Sequence, residues 1–537
     1  MNESLTCGEA IVDLLSQYGV DTVFGIPGTH TVELYRGLIG KPVRHVLARH
    51  EQGAGFMAEG YARNSGKPGV CFLITGPGVL NAATPIASAF NDSIALLVIS
   101  SAVNLAARGK GWGEGHEMRD QRALTSSITA FSATAYRPDD LPDLIARAFA
   151  VFSSARPRPV HIEIPTDVLA QRLDAQHVST RWTKRVGSAR PCPTPEGISA
   201  AAEVMDRAQN PLIYVGGGAR DAVDEVAALA EKTASPVINT VGGIGILPGH
   251  HPLSLGAAMS FEEVRQWVSE SDALLAVGTE MGHIDQWYAT LEAPKNLIRV
   301  DIDVDKLADH YPPRVALHAD AKTTLGALVR ACESASPSQL DAAKQRVVVM
   351  REQMFESLSE LEHKHVRVLE TIKKACPTTV RLFGDMTQLA YTTCRYVPFD
   401  SPGQFVHPLG FGCLGYALPA GLGAKIARKS DPVVIITGDS GLLYTAQEMA
   451  TAIDEKAPLV LIVWNNHGLG EIRNAFSTRG IQAVAVNPTP ANHQALAQAF
   501  GWQMSRAASH PELLAQIENA LATNTSTLIE LNESDPY

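Results

Sequence analysis

The apolar positions in the first third of the chain alternate between helical spacing and short continuous runs, the pattern of a parallel sheet covered by helices. An amphipathic stretch from Gly8 to Tyr18 precedes the apolar run Thr22 to Gly25. A turn, Gly25-Ile-Pro-Gly28, leads to a helical pattern from Thr31 to Leu38 and a strand from Val43 to Ala48. A further helix is expected from about Gln52 to Arg63. The run Val70 to Thr75 then ends in Gly76-Pro-Gly78, followed by a helix from about Leu80 to Phe90 and a strand from Ala95 to Ser100. The last strand is apolar throughout, as expected where both faces of a sheet are covered.

The segment Arg181 to Pro195 carries proline and charge and reads as a linker. Beyond it, Leu212 to Gly218, Ala273 to Gly278 and Leu297 to Ile302 read as strands of a second α/β domain. Its triple glycine is not a dinucleotide fingerprint, because the G-x-G-x-x-G spacing requires glycine at 221, where Asp221 stands. The Ser-, Ala- and Pro-rich segment Cys332 to Ala343 reads as a second linker. At 537 residues the chain exceeds the roughly 250 to 300 at which single cores stop growing. The expectation is an α/β protein of three doubly wound parallel-sheet domains, at 1–180, 195–335 and 360–537.

Composition narrows the partners. Hydrophobic residues make up 45% and charged residues 19%, and the net charge of −11 disfavours nucleic acid or an anionic membrane. No basic segment followed by an apolar stretch opens the sequence, and no apolar run is long enough to span a bilayer, so a cytoplasmic protein is expected. The seven cysteines are scattered without a C-x-x-C pair, so neither a disulfide framework nor a zinc site is indicated.

The most specific chemistry lies near the C-terminus. Val433 to Ile436 is a buried strand followed by Gly438-Asp-Ser-Gly441. Tyr444 to Asp454 has helical spacing, and Leu459 to Trp464 is a strand ending in Asn465-Asn466. In a parallel βαβ unit both turns fall at the carboxyl edge of the sheet, where ligands bind, so Asp439 and Asn466 would be neighbours. A carboxylate and an amide oxygen there suit a hard divalent cation, and the backbone N–H groups of Ser440 and Gly441 could face a phosphate. Each element alone has a plainer account, the Asp as a helix cap and the Asn pair as a turn.

Together these stretches resemble the cofactor signature of thiamine diphosphate enzymes of the acetolactate synthase and benzoylformate decarboxylase group. The resemblance implies a pyrimidine-binding domain, a middle domain and a diphosphate-binding domain. It implies thiamine diphosphate and Mg2+ as cofactors, with Asp439, Asn466 and the carbonyl of Gly468 on the metal. Ser440 departs from the glycine usual in that family; serine keeps the N–H but narrows the backbone's choices. Arg49-His-Glu-Gln-Gly-Ala54 resembles the family's catalytic glutamate motif, although Glu51 alone could be an acid favoured in a first helical turn. The cofactor's ring nitrogen must be protonated for activation, and a partly protonated Glu51 would do this. Gly412-Cys-Leu-Gly415 matches the region where an apolar residue, here Leu414, bends the cofactor. Met386 and Gln388 match the neighbourhood of the diphosphate with Gly438.

The reaction expected from the resemblance is non-oxidative decarboxylation of a 2-oxo acid to an aldehyde and carbon dioxide. The alternatives are an acetolactate synthase-type carboligase, or a cofactor-binding paralogue without activity. His30 and the pair His116-Glu117 are candidate proton-handling residues, with His407 a weaker one; a histidine near a turn is more often a solvated or hydrogen-bonded surface group. Gly278-Thr-Glu-Met-Gly282 with Asp285-Gln-Trp287 stands where acetolactate synthases have a flavin-binding stretch, so flavin is not expected. These segments and Asp385-Met-Thr-Gln-Leu-Ala-Tyr391 more closely resemble an arginine-catabolic branch acting on 5-guanidino-2-oxopentanoate. A guanidinium tail wants a carboxylate and an aromatic face, and Glu280, Asp285, Glu117 and Glu471 are candidates, each equally explicable as a solvated acid. The family also implies a homodimer at least, and a homotetramer as the expected assembly.

Overall fold

The computed structural model describes residues 4–287 and 289–537. The chain forms two compact units, one of residues 1–189, 382–387 and 410–536, the other of 190–381 and 388–409 with the terminal Tyr537. Parallel sheets flanked by helices build both.

In the first unit, helix α1 (Cys7–Gln17) opens with a capping box in which Thr6 and Glu9 satisfy each other's backbone N–H groups. The N-terminal sheet comprises Thr22–Gly25 (β1), Arg44–Leu47 (β2), Gly69–Leu73 (β3), Leu96–Ala102 (β4), Phe131–Thr134 (β5) and Val160–Pro165 (β6). Its order is β2-β1-β3-β4-β6-β5. Strands β3, β4 and β6 are buried along their whole length, including His161 and Glu163, which alternate with apolar residues along β6.

In the second unit Pro211–Val215 (β7), Val237–Asn239 (β8), Ser254–Gly256 (β9), Ala273–Val277 (β10), Leu297–Asp301 (β11) and Val315–His318 (β12) form a sheet in the order β9-β8-β7-β10-β11-β12, a doubly wound arrangement. The triple glycine after β7 is a packing feature. A methyl on Gly216 would meet the Gly278 carbonyl and one on Gly218 would lie 2.8 Å from the Gly278 Cα.

Five of the six strands of the third sheet are Arg381–Gly384 (β13), Val433–Gly438 (β14), Val460–Asn465 (β15), Gln503–Ala507 (β16) and Thr527–Asn532 (β17), neighbours in the order β13-β14-β15-β17-β16.

Several element boundaries differ from the sequence-based expectation. The segment expected as a second linker is helical from Pro337 to Glu356, because Ser336 caps it in a box with Gln339 and proline occupies the first turn. The pattern from Thr31 to Leu38 is helical only over Val32–Arg36. The helix expected from Leu80 begins earlier, in the glycine-proline turn, and is broken at Ala82 into Pro77–Asn81 and Ala83–Asn91. Tyr444 to Asp454 divides into a 3-10 turn at Gly441–Tyr444 and a helix at Glu448–Asp454.

Helix α2 (Glu51–Ser65) crosses α3 (Ala417–Ala427) at close range. A methyl on Gly60 would overlap the Ala420 carbonyl, one on Gly423 would overlap the Met57 carbonyl, and Asn64 Nδ2 donates to Ala424 O at 2.9 Å. Beneath this contact lies a buried ionic cluster. Arg63 reaches Glu59 at 2.7 Å and Asp92 at 2.6 Å, and Asp92 accepts from Gly410 N at 3.1 Å. Burial pushes the Glu59 carboxyl up to about 7. Removing the cation strands two buried acids, a loss of about 3–5 kcal/mol for a broken buried pair. Arg63→Met is therefore expected to lower the urea unfolding midpoint of the first unit strongly, whereas Arg36→Met, at an exposed pair, shifts it by less than about 1 kcal/mol.

Candidate active site

Glu51 is the first residue of α2, immediately after β2, and is largely buried. Its placement depends on a second carboxylate. Glu448, fully buried on the helix Glu448–Asp454, accepts hydrogen bonds from Arg49 N at 3.1 Å, His50 N at 3.0 Å and Thr451 Oγ1 at 2.7 Å. A buried acceptor at the entrance of a helix satisfies donors that have no intrahelical partner. Burial pushes the Glu448 carboxyl up, and Gly53 lacks a side chain because a methyl there would overlap that carboxylate.

Glu51 Oε2 accepts from Asn81 Nδ2 at 2.9 Å. Oε1 lies beside Gly78, where a methyl would come within 3.4 Å of it and 2.8 Å of Ile74 Cγ2. The turn carrying Gly78 is itself fixed: Gly76, at φ 70°, donates to Gln121 Oε1 at 2.9 Å, and Gln121 Nε2 donates to Glu163 Oε2 at 3.1 Å. Arg108 and Thr134 pair with the other oxygen of Glu163. Asn81, Gln121 and Glu448 were not singled out from sequence. Only Asn81, three residues beyond the glycine turn, stood close enough to an identified motif to be found.

At the other end of the first unit, adjacent strands β14 and β15 pair Gly438 with Trp464, so the residues after them emerge side by side. Asp439 N donates to Trp464 O at 3.3 Å, and the Asp439 carboxylate accepts from the backbone N–H groups of Ser440 and Gly468. Burial raises the Asp439 carboxyl. Asn466 follows Asn465 in this turn, and Gly468 adopts φ 138°, where a methyl would overlap Val486 O. Ser440 sits at φ −80° and ψ −38°, a conformation open to any residue, so the glycine usual in the family is not needed there. Asp439, the Asn466 amide and the Gly468 carbonyl could offer only oxygens to a cation. Among the described residues no group of three or more His, Cys, Asp or Glu side chains is placed to hold a metal ion.

Asp385 ties the remaining segments together. Fully buried, it accepts from Met386 N at 2.8 Å, Gly415 N at 3.0 Å, Ala417 N at 3.3 Å and Thr437 Oγ1 at 3.4 Å, and burial pushes it up to about 6. It thereby sets the half-buried Leu414 and Met386 in position. Met386 Cε lies within 3.9 Å of where a side chain on Gly412 would begin, and Gly441 stands beside Asp385. Gln388 opens the buried helix Gln388–Tyr396 in the second unit.

His30 and His116 are brought together, their ring centres 5.2 Å apart and inclined by 31°. Burial lowers the His30 pKa, and His116 lowers it further. His116 holds the left-handed φ of 63°, a strained choice for a non-glycine residue. Glu117 has a different employment, accepting from Gly111 N, Gly113 N and Glu114 N and so anchoring the glycine-rich loop. Glu471 is exposed in the first turn of the helix Gly470–Thr478.

In the second unit, Glu280 lies 3.3 Å from Lys306 Nζ, and His407 is buried near Tyr391 and Phe405. Asp285 accepts from Val241 N and lines a cleft with Trp287 and Tyr391, whose rings meet edge to face at 5.9 Å. The Arg395 guanidinium stands 5.6 Å from the Trp287 ring centre.

Three family models match in succession: the N-terminal thiamine pyrophosphate-binding domain over residues 5–124, the central domain over 198–328 and the C-terminal thiamine pyrophosphate-binding domain over 385–531. The chain belongs to the thiamine pyrophosphate enzymes. It is 48% identical over 534 residues to a protein named "Probable 2-ketoarginine decarboxylase" from Pseudomonas aeruginosa, covering 99% of this chain and 95% of that one. It is 33% identical over 512 residues to the acetolactate synthase isozyme 1 large subunit of Escherichia coli, covering 92% and 88%. With the acetolactate synthase large subunit of Corynebacterium glutamicum it shares 31% over 499 residues, 88% of this chain and 76% of that one. No described helix of this thiamine pyrophosphate enzyme is long and apolar enough to cross a membrane.

Glu448 holds the start of the glutamate helix, so Glu448→Ala leaves Arg49 N and His50 N without their acceptor. At about 1–3 kcal/mol per buried unsatisfied donor, the expected loss is about 2 kcal/mol or more in chemical denaturation. Glu448→Gln, which keeps one acceptor oxygen, should lose less than half of that.

Proposed function

We propose that this thiamine pyrophosphate enzyme decarboxylates 5-guanidino-2-oxopentanoate without oxidation, releasing carbon dioxide and the aldehyde one carbon shorter. The observation that carries this reading is the 48% identity, over almost the full length of both chains, to a protein named as a 2-ketoarginine decarboxylase. Bound thiamine diphosphate would supply the nucleophilic carbon and the electron sink for loss of the carboxylate. Asp439, Asn466 and the Gly468 carbonyl would hold Mg2+, and the N–H groups of Ser440 and Gly441, with Gly438, would face the diphosphate. Met386, Gln388, Gly412 and Leu414 would shape the cofactor's bed.

Glu51 acts as the acid. Its Oε2 is committed to Asn81, which leaves Oε1 to carry the proton exchanged with the cofactor's ring nitrogen. His30 and His116, with their rings 5.2 Å apart, form a pair of proton carriers in the first unit, and they would deliver a proton to the substrate carbon that has lost its carboxylate. The second unit holds Asp285 with Trp287 and Tyr391, a carboxylate and aromatic faces of the kind that a guanidinium tail wants. The enzyme would be cytoplasmic and at least dimeric, a homotetramer by analogy with the family.

The second reading, carboligation of two 2-oxo acids, is favoured by the acetolactate synthase relatives. A substrate panel with product analysis decides between the two. The expected outcome is aldehyde and carbon dioxide from 5-guanidino-2-oxopentanoate, with kcat/KM exceeding that for pyruvate by about 100-fold or more, the scale of discrimination available to a polar tail pocket. Acetohydroxy acid as the main product from pyruvate would overturn the decarboxylase reading.

Each cofactor would be clasped by Glu51 of one chain and by Asp439 and Asn466 of another. Glu51→Gln and Asp439→Ala homomers should each lose about 100-fold or more in turnover, as for a removed acid-base group. In a mixed dimer one site collects both lesions and the other neither. Subunit exchange should therefore recover activity approaching one parental site per heterodimer, and no recovery at any mixing ratio means that a single chain builds the site.

A further inference from the structure

Beneath the turn that carries Asn466 and Gly468 lies a polar assembly that the reaction does not use directly. Strands β15 and β17 are neighbours, with Val463 opposite Glu530 and Asn465 opposite Asn532. Glu530 Oε1 accepts from Asn465 Nδ2 at 2.6 Å and lies 3.3 Å from His493 Nδ1. The hydrogen bond to His493 is the main reason that the Glu530 carboxyl is held down to about 2. Asn465 in turn passes the contact to the loop: its Oδ1 accepts from His467 N at 3.0 Å, between Asn466 and Gly468. The same loop is held from outside by Asn532 Nδ2, 3.1 Å from His467 Nε2, and by Arg473, which donates to His467 O at 3.3 Å.

Packing alone does not explain this choice of residues. His493 is 4% exposed and its Nε2 is buried without a hydrogen-bond partner, a cost that an apolar ring of similar size would avoid. A carboxylate that orients an amide, and an imidazole that holds the carboxylate, together make the kind of outer support that aligns ligands for a cation.

We infer that Glu530, held by His493 and acting through Asn465, is a positioning residue for the Asn466–Gly468 segment and hence for the divalent cation. The inference rests on Asp439, Asn466 and Gly468 being the metal donors. Glu530 and His493 do not touch the cation; they fix the geometry in which the turn presents its oxygens.

The test is Mg2+ affinity, measured by calorimetric titration of the full-length protein in saturating thiamine diphosphate, beside the thermal midpoint of the metal-free protein. Glu530→Leu is expected to weaken Mg2+ binding about tenfold or more, the range typical of lost outer-shell support. Glu530→Gln, which keeps an oxygen for Asn465, and His493→Phe, which keeps the ring volume, should each weaken it by a smaller factor, about threefold. These two variants carry the test if Glu530→Leu does not fold. A lowered melting midpoint with Mg2+ affinity within about twofold of the parent, in every variant that folds, overturns the proposal and leaves Glu530 a structural residue. Asp439→Ala separates the two levels. If it abolishes Mg2+ binding while the Glu530 and His493 variants bind normally, only the positioning role fails. If it binds Mg2+ like the parent, the assignment of the metal donors fails and the positioning role with it.

Discussion

The close crossing of α2 and α3 is the constraint on which the first unit depends. Helices normally keep about 8–10 Å between axes because side chains intervene. Here Gly60 and Gly423 bring backbone against backbone, and Asn64 spends its amide on the Ala424 carbonyl. The contact joins the segment that begins with Glu51 to the segment that follows Leu414, about two thirds of the chain apart in sequence. Once the helices are that close, the charge beneath them has little access to water, and Glu59 has none. Glu59, Arg63 and Asp92 must then neutralise one another where they stand. Glu448 also reaches the amides of Arg49 and His50, so the start of the helix that Glu51 opens is seated by a residue some 400 positions later.

What was legible in the sequence follows from how local its cause is. The strand–turn–helix units around Gly28, Gly76 and Asp439 were readable because periodicity and glycine placement act within a few residues. The pairing of Asp439 with the turn at Asn466 was readable because adjacent parallel strands deliver their ends to one edge of the sheet. The second linker was misread because Ser, Ala and Pro are as suited to a capped helix start as to a loop, and the capping pair Ser336 with Gln339 was overlooked. The doubt about Ser440 arose from comparing residue types alone, whereas its φ of −80° makes no demand that only glycine meets.

Long-range partners were not legible. Nothing near Glu448 in sequence indicates that its carboxylate caps a helix some 400 positions earlier. Glu117 looked like an acid beside a candidate histidine, yet its oxygens are taken by three loop amides, those of Gly111, Gly113 and Glu114. A lone acid in a glycine-rich stretch is better read as an anchor for N–H groups than as a free reagent.

The buried carboxylates of the first unit differ in how far the protein satisfies them, and that difference separates structural from functional roles. Burial raises Glu448, Asp385 and Asp439 alike. Glu448 answers with two backbone amides and a threonine hydroxyl, and Asp385 with three backbone amides and another hydroxyl. Both therefore remain acceptors inside a hydrogen-bonded frame and need no counterion. Asp439, at the end of β14, receives the amides of Ser440 and Gly468. A carboxylate so placed keeps acceptor capacity and negative charge at the carboxyl edge of a parallel sheet, beside the Gly468 turn. A hard cation relieves that charge better than a further amide, because it compensates the buried charge as well as filling the acceptor position. The same reasoning explains why the support of the neighbouring turn falls to Glu530 and His493. A carboxylate and an imidazole set behind the turn, with Glu530 bonded to Asn465 rather than to Asn466 or Gly468, can fix the geometry of the turn without competing for a cation.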